Sequence, residues 1–161
     1  MRPLGPEQWS VVDPALLREE SGASQGYNKF SNEGEGDREL EFVIRDVNSQ
    51  LFWTKSMIVG TRLLVRLCGS LDMDTTPLLK SYLEPLLRDI QAGIVSEFEV
   101  DVRELYLMSS SSISCFATWT KSLKSLQNHC KVVFLTNPAL GWQRRAIDPI
   151  CNLAPQLVSV D

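Results

Sequence analysis

From Glu39 to the C-terminus the hydrophobic period of this chain switches repeatedly between two residues and about 3.6, and that switching limits the fold more than any other feature. Leu40, Phe42 and Ile44 alternate with Glu41, Val43 and Arg45, the pattern of a half-buried strand. Ile58 to Leu67 places Leu63, Val65 and Leu67 at period two and breaks at Gly69, which predicts a second strand. Thr75-Thr76-Pro77 then reads as a helix start, a threonine cap with proline at the first helical position. Leu79, Tyr82, Leu83, Leu86, Leu87 and Ile90 follow at helical spacing, with Pro85 among them predicting a kink or an early end. Glu97 to Val102 alternates again, and Ile113, Phe116, Thr120 and Leu123 return to the helical period. Lys131 to Leu135 is a continuous apolar run, as in a strand covered on both faces. Trp142, Ala146, Ile147, Ile150 and Leu153 form a third helical stripe ending near Pro155, and Gln156 to Val160 a last short strand. The predicted order is β-β-α-β-α-β-α-β. Such a sequence folds as an α/β domain, a mixed, partly parallel sheet of four to five strands packed against three or more helices.

Residues 1–38 read differently. Pro3, Pro6 and Pro14 precede a Ser-Gly-Ala-Ser-Gln-Gly run and an acidic Gly-rich run from Asn32 to Asp37. Such composition does not repay the entropy of ordering, although Asp13 and Pro14 are suited to start a short helix. The expectation is a poorly ordered extension or adaptor arm over 1–38 and a folded domain over 39–161.

Charge and apolar content narrow the function classes. Sixteen basic against 20 acidic residues give a net charge of −4, the wrong sign for nonspecific nucleic-acid binding. No apolar run approaches the roughly 20 residues that cross a bilayer, and no secretion signal opens the chain, so a cytoplasmic protein is expected without membrane insertion. Cys68, Cys115, Cys130 and Cys151 are widely spread and His129 is the sole histidine, so no metal site is expected. The cysteines read as buried and reduced. Phosphate-loop, dinucleotide and nucleophile-elbow motifs are absent, and no cofactor is expected.

The run Leu107-Met108-Ser109-Ser110-Ser111-Ser112-Ile113 stands out, at the entry to the second predicted helix. A helix start presents free N–H groups and the positive end of the dipole, which favours a phosphate. Serine is also a favoured N-cap and fits a tight turn, so the local sequence leaves both readings open.

The stretch Asp101-Val102-Arg103-Glu104-Leu105-Tyr106-Leu107-Met108-Ser109-Ser110-Ser111-Ser112-Ile113 resembles the central signature of STAS domains, the family of bacterial anti-sigma factor antagonists. There a strand leads through a D-S-S-G-[LI] turn into a helix. Leu67-Cys68-Gly69-Ser70-Leu71-Asp72 is similar to the family's earlier G-x-[LI]-D motif, and Trp142-Gln143-Arg144-Arg145 to a stand-alone bacterial subfamily. The resemblance implies a phosphorylatable serine at Ser110, beside Ser111. Ser109 stands where the family has aspartate and Ser112 where it has glycine, which leaves Ser109, Ser111 and Ser112 as alternative acceptors. It further implies a partner-binding face around Gly69, Ser70, Leu71, Asp72 and Ser109 to Ser112. The implied partners are a GHKL-type serine kinase or anti-sigma factor and a metal-dependent serine phosphatase.

Two functions follow from the resemblance: a non-enzymatic partner-switching regulator governed by serine phosphorylation, or a constitutive scaffold or adaptor with the same fold and no phosphoswitch. A serine hydrolase is the weakest reading, because the nucleophile needs an oriented base and no elbow motif is present.

Overall fold

A computed structural model describes residues 46–161. The extension expected over 1–38, the helix near Pro14 and the strand at Leu40 to Ile44 lie outside the described residues. The element order is β1 (Phe52–Val59), β2 (Arg62–Leu71), α1 (Thr76–Gln91), β3 (Glu97–Met108), α2 (Ser110–Lys124), β4 (Lys131–Leu135), α3 (Gly141–Cys151) and β5 (Val158–Val160). The strands form one sheet in the order β1-β2-β3-β4-β5. β1 and β2 pair antiparallel, and every later neighbour pairs parallel. The predicted class, a mixed sheet of four to five strands packed against three or more helices, is the observed one, with five strands and three helices among the described residues.

The first two strands differ from expectation. Ile58 to Leu67 is not one strand but two, joined by the two-residue turn Gly60-Thr61. Gly60 has φ 61°, the conformation the first central residue of a tight hairpin needs. The chain therefore folds back inside the stretch that was expected to be a single strand.

β2 to β5 run in one direction in sequential order, so right-handed crossovers put all three helices on the same face of the sheet. There Leu63, Val65 and Leu67 of β2 and Phe98, Val100 and Val102 of β3 join Leu79, Leu83, Ile90, Phe116, Leu123 and Ile147 in one core. Phe98 meets Trp119 edge-on at 5.7 Å, and Phe116 meets Phe134 at 5.5 Å. The Trp119 indole donates to the Leu83 carbonyl at 2.9 Å, tying α2 to α1. α1 does not stop at Pro85; it continues to Gln91.

β3 extends to Met108, well beyond the alternating stretch that ends at Val102. Asp101 pairs with Arg66 but Glu104 with Cys68, and Leu105 pairs with Gly69 but Leu107 with Ser70. At each step β3 carries one residue more than β2. Two such bulges destroy the period of two and hide the second half of the strand from a periodicity reading. β4 stops pairing at Leu135, so the carbonyls that follow in β3 need another donor. The buried Gln143 of α3 supplies it: its amide donates to Val102 O at 2.8 Å and Leu105 O at 3.1 Å, and its oxygen accepts from Asn137 N–H at 2.8 Å.

On the sheet face away from the core, β2 and β3 carry a charge ladder. Arg62 bonds Glu99 and approaches Glu97 at 4.0 Å; Arg66 reaches Asp101 at 3.3 Å and Glu104 at 3.1 Å. Arg103 grips Asp101 with two bonds of 2.9 and 2.8 Å. Burial pushes the Asp101 carboxyl up, but the bonds and charge of Arg103, with the charge of Arg66, outweigh it and hold the group below the ordinary carboxylate range.

Two outcomes follow. Gln143→Leu keeps the volume but leaves two carbonyls and one N–H without a partner, so urea denaturation is expected to show a loss of about 2–4 kcal/mol. A carboxylate held low in the folded state contributes stability above its unfolded pKa and loses it as pH falls through the folded value. The stability gap between wild type and Asp101→Asn is therefore expected at pH 7 and to shrink as pH drops below about 4; a gap independent of pH contradicts the ion-pair account.

Candidate functional site

The two motif regions meet at the C-terminal ends of β2 and β3. The backbone N–H of Ser109 donates to Leu71 O at 2.7 Å, and the Ser112 hydroxyl donates to the same oxygen at 3.1 Å. One carbonyl thus joins the turn leading into α1 to the turn leading into α2.

The α1 turn is organised by Asp72. Its carboxylate accepts from Asp74 N–H at 3.0 Å and Thr75 N–H at 2.9 Å. These bonds, that of the Thr75 backbone first, hold the Asp72 carboxyl below its ordinary range. The cap position falls on Thr75, one residue before the threonine that proline at the first helical position implied, and the Thr75 hydroxyl does not cap: it donates to Ser70 O at 2.9 Å and accepts from Asp72 N–H at 2.9 Å. Pro77 falls at the second helical position rather than the first. Thr76 reaches across the junction, donating to Asp72 O at 2.6 Å and lying 2.7 Å from the Ser112 hydroxyl and 3.2 Å from that of Ser111.

The four serines have four different environments. Ser109, extended at φ −71° and ψ 161°, is the N-cap of α2, and its hydroxyl accepts from Ser112 N–H at 3.3 Å. It also lies 2.9 Å from the Ser111 hydroxyl. Serine thus caps at the position where the STAS resemblance led aspartate to be expected. Ser112 is completely buried between the two turns. Ser111 is half-buried and bonded to Ser109 and Thr76. Ser110, the first residue of α2, is exposed, and among the described residues its hydroxyl makes no hydrogen bond. The first-turn N–H groups of Ser110 and Ser111 lie ahead of any intrahelical acceptor.

Burial divides the expected binding face. Asp72 and Ser110 reach solvent, whereas Leu71 and Ser112 are fully buried and their side chains present no surface to a partner. Gly69 has a backbone role: φ is +93°, and a Cβ there would collide with the Leu51 carbonyl oxygen, which accepts from Ser70 N–H. Sequence reasoning missed the apolar rim of this junction. Met73 is 76% exposed, Tyr106 80%, Leu107 49% and Leu51 55%. Tyr106 and Leu107 were hidden because the bulges place them on a strand end that periodicity did not detect.

Among the described residues, no group of three or more His, Cys, Asp or Glu side chains is placed to hold a metal ion, and no helix is long and apolar enough to cross a membrane. Cys68 and Cys130 are buried, as expected, and Cys115 and Cys151 only half-buried. Burial pushes the Cys130 thiol up to about 12, and burial together with the Glu104 carboxylate pushes Cys68 up as well, so both stay protonated near neutrality.

No protein-family model and no curated protein sequence matches the chain. Solved structures do. An anti-sigma factor antagonist from Mycobacterium paratuberculosis superposes with a TM-score of 0.51 at 17% identity, over 68% of this chain and 84% of that one. The chain has a STAS fold. SpoIIAA, an anti-sigma factor antagonist in its unphosphorylated form, gives 0.44 at 18% identity, over 57% and 79% of the two chains. The Bacillus cell fate determinant SpoIIAA in its phosphorylated form gives 0.47 at 18%, over 67% and 90%. At these identities the likeness carries the fold and no more, so function rests on the junction itself.

Gly69→Ala tests the junction's backbone. The side chain meets both an unfavourable φ and a backbone oxygen, so a loss of about 2–4 kcal/mol in chemical denaturation is expected. A loss near zero means that the two turns do not pack as described.

Proposed function

We propose that this protein is a non-enzymatic partner-switching regulator of the cytoplasm. In its unmodified state it binds a GHKL-type serine kinase or anti-sigma factor through the exposed part of the junction. The kinase phosphorylates Ser110, the complex separates, and a metal-dependent serine phosphatase restores the free hydroxyl. The observation that carries this reading is the position of Ser110: of the four serines it alone is exposed and unbonded, on a scaffold that its neighbours hold rigid. The STAS fold, shared with an anti-sigma factor antagonist, and the two motifs at the junction support it.

The chemistry of the switch is electrostatic. A phosphate on Ser110 adds about −1.5 to −2 charges at the start of α2, where the open N–H groups and the helix dipole stabilise it. Asp72, kept ionised by its backbone bonds, stands across the junction, so the face becomes strongly acidic without any refolding. Around it, Met73, Tyr106 and Leu107 provide the apolar contact area that such an interface requires. A partner that buries this rim must desolvate the phosphate, which opposes binding.

A second reading has its own observation. Ser109 and Ser112 replace the aspartate and glycine of the related turns, and both are engaged in holding the two turns together. A junction closed in this way also suits a constitutive scaffold that binds through the same rim and is never modified.

The cognate kinase, captured from the host by pull-down, separates the two. In a binding titration Ser110→Asp is expected to weaken the complex at least about tenfold, while Ser110→Ala stays within about twofold of wild type. Equal affinities for the two variants contradict the switch and leave the scaffold.

A further inference from the structure

The parallel strands give the sheet two distinct ends, and the junction occupies only one of them. At the other, where β3, β4 and β5 begin, lies a cleft of about 560 Å³ lined by Ser96, Glu97, Lys124, His129, Lys131 and Leu157. By strand rise it lies roughly 35 Å from Ser110 along β3. Its volume falls within the range of about 300–1,000 Å³ typical of small-molecule sites.

The charges in this cleft are unbalanced. Glu97 is drawn to Arg62, which stands 4.0 Å away and also bonds Glu99. Among the described residues Lys124 and Lys131 form no ion pair, and His129 makes no hydrogen bond. His129 lies in the loop after α2, which stops at Lys124, and its side chain is exposed. Lys124, His129 and Lys131 all line this one cleft, against a single carboxylate, Glu97, which is the cross-strand neighbour of Lys131 and stands at the edge of reach of Arg62. The C-terminal dipole of α2 disfavours an anion at this end, and Lys121 and Lys124 in the last turn offset it. Leu157 adds an apolar wall.

We infer that this cleft binds a small organic molecule with a dianionic head, the head between Lys124 and Lys131 and the organic body against Leu157. It is a site independent of Ser110 and of any partner at the junction.

The chain's only histidine supplies a unique reporter, since its ring protons are resolved in a one-dimensional proton spectrum. The full chain is titrated in low salt with AMP, inorganic phosphate and succinate in separate arms, with adenosine as the uncharged comparison. A saturable shift of the His129 resonances by AMP, with Kd below about 1 mM, is expected, and none by adenosine. Phosphate against succinate distinguishes a phosphate head from a dicarboxylate. Lys124→Gln with Lys131→Gln is expected to weaken binding at least about tenfold, and Lys124→Arg with Lys131→Arg to preserve it. Both lysines are exposed, and a thermal melt of each variant establishes that the fold is intact. Linear, non-saturating shifts in all three anion arms, equal binding by the Gln variant, or an equal response to adenosine would overturn the assignment.

Discussion

The carbonyl oxygen of Leu71 is the point on which the junction between the two helix-entry turns depends. It accepts from the backbone of Ser109 and from the hydroxyl of Ser112, and so fixes the end of one strand against the start of the helix that follows the next. Hydrogen bonds made inside a buried junction are worth more than exposed ones, because leaving either group without a partner costs its full desolvation. Thr76 extends the same network from α1, and Asp72 keeps its own turn closed with backbone bonds. The result is a hydrogen-bonded platform on which one hydroxyl, that of Ser110, is exposed and unbonded. Modification of such a hydroxyl changes the charge of the surface and leaves the shape alone.

Behind this platform the sheet is adjusted to deliver it. The two bulges of β3 lengthen that strand relative to β2, so that Met108 lies beside Leu71 despite the mismatch in residue count. Gln143 then stands in for the strand pairing that β4 no longer supplies. A single α3 side chain thereby stabilises the segment that carries Tyr106, Leu107 and the serine run outward. The charge ladder of Arg62, Arg66 and Arg103 acts on the opposite face, neutralising a row of carboxylates that would otherwise repel one another across neighbouring strands.

Much of this was legible in the residues. The alternation of periods specified the class and the helical stripes, since period reports directly on which face meets the core; β4, read as covered on both faces, buries only Val132 and Phe134, while Val133 and Leu135 on its other face are half-buried. The serine run and the Gly69 to Asp72 stretch located the junction. Other features depend on contacts distant in sequence. The β1–β2 hairpin was read as one strand because Ile58 to Leu67 is apolar on both sides of Gly60. The end of β3 was missed because a bulge erases alternation. Ser112 and Ser110 are chemically identical in the sequence, and only packing against Leu71 and Thr76 separates a structural hydroxyl from an available one. Gln143 entered only within the Trp142 to Arg145 resemblance, and its bonding role was illegible, because a buried amide in a helix is recognised only once the groups it bonds are known.

The central claim is that one hydroxyl of the run is open to chemistry while the others hold the junction together. Site-resolved mass spectrometry of the intact protein isolated from its native host tests this most directly. The account predicts a species heavier by about 80 Da under some growth conditions, with the phosphate on Ser110. A phosphate on the buried Ser112, or a chain that stays unmodified under every condition sampled, would contradict it.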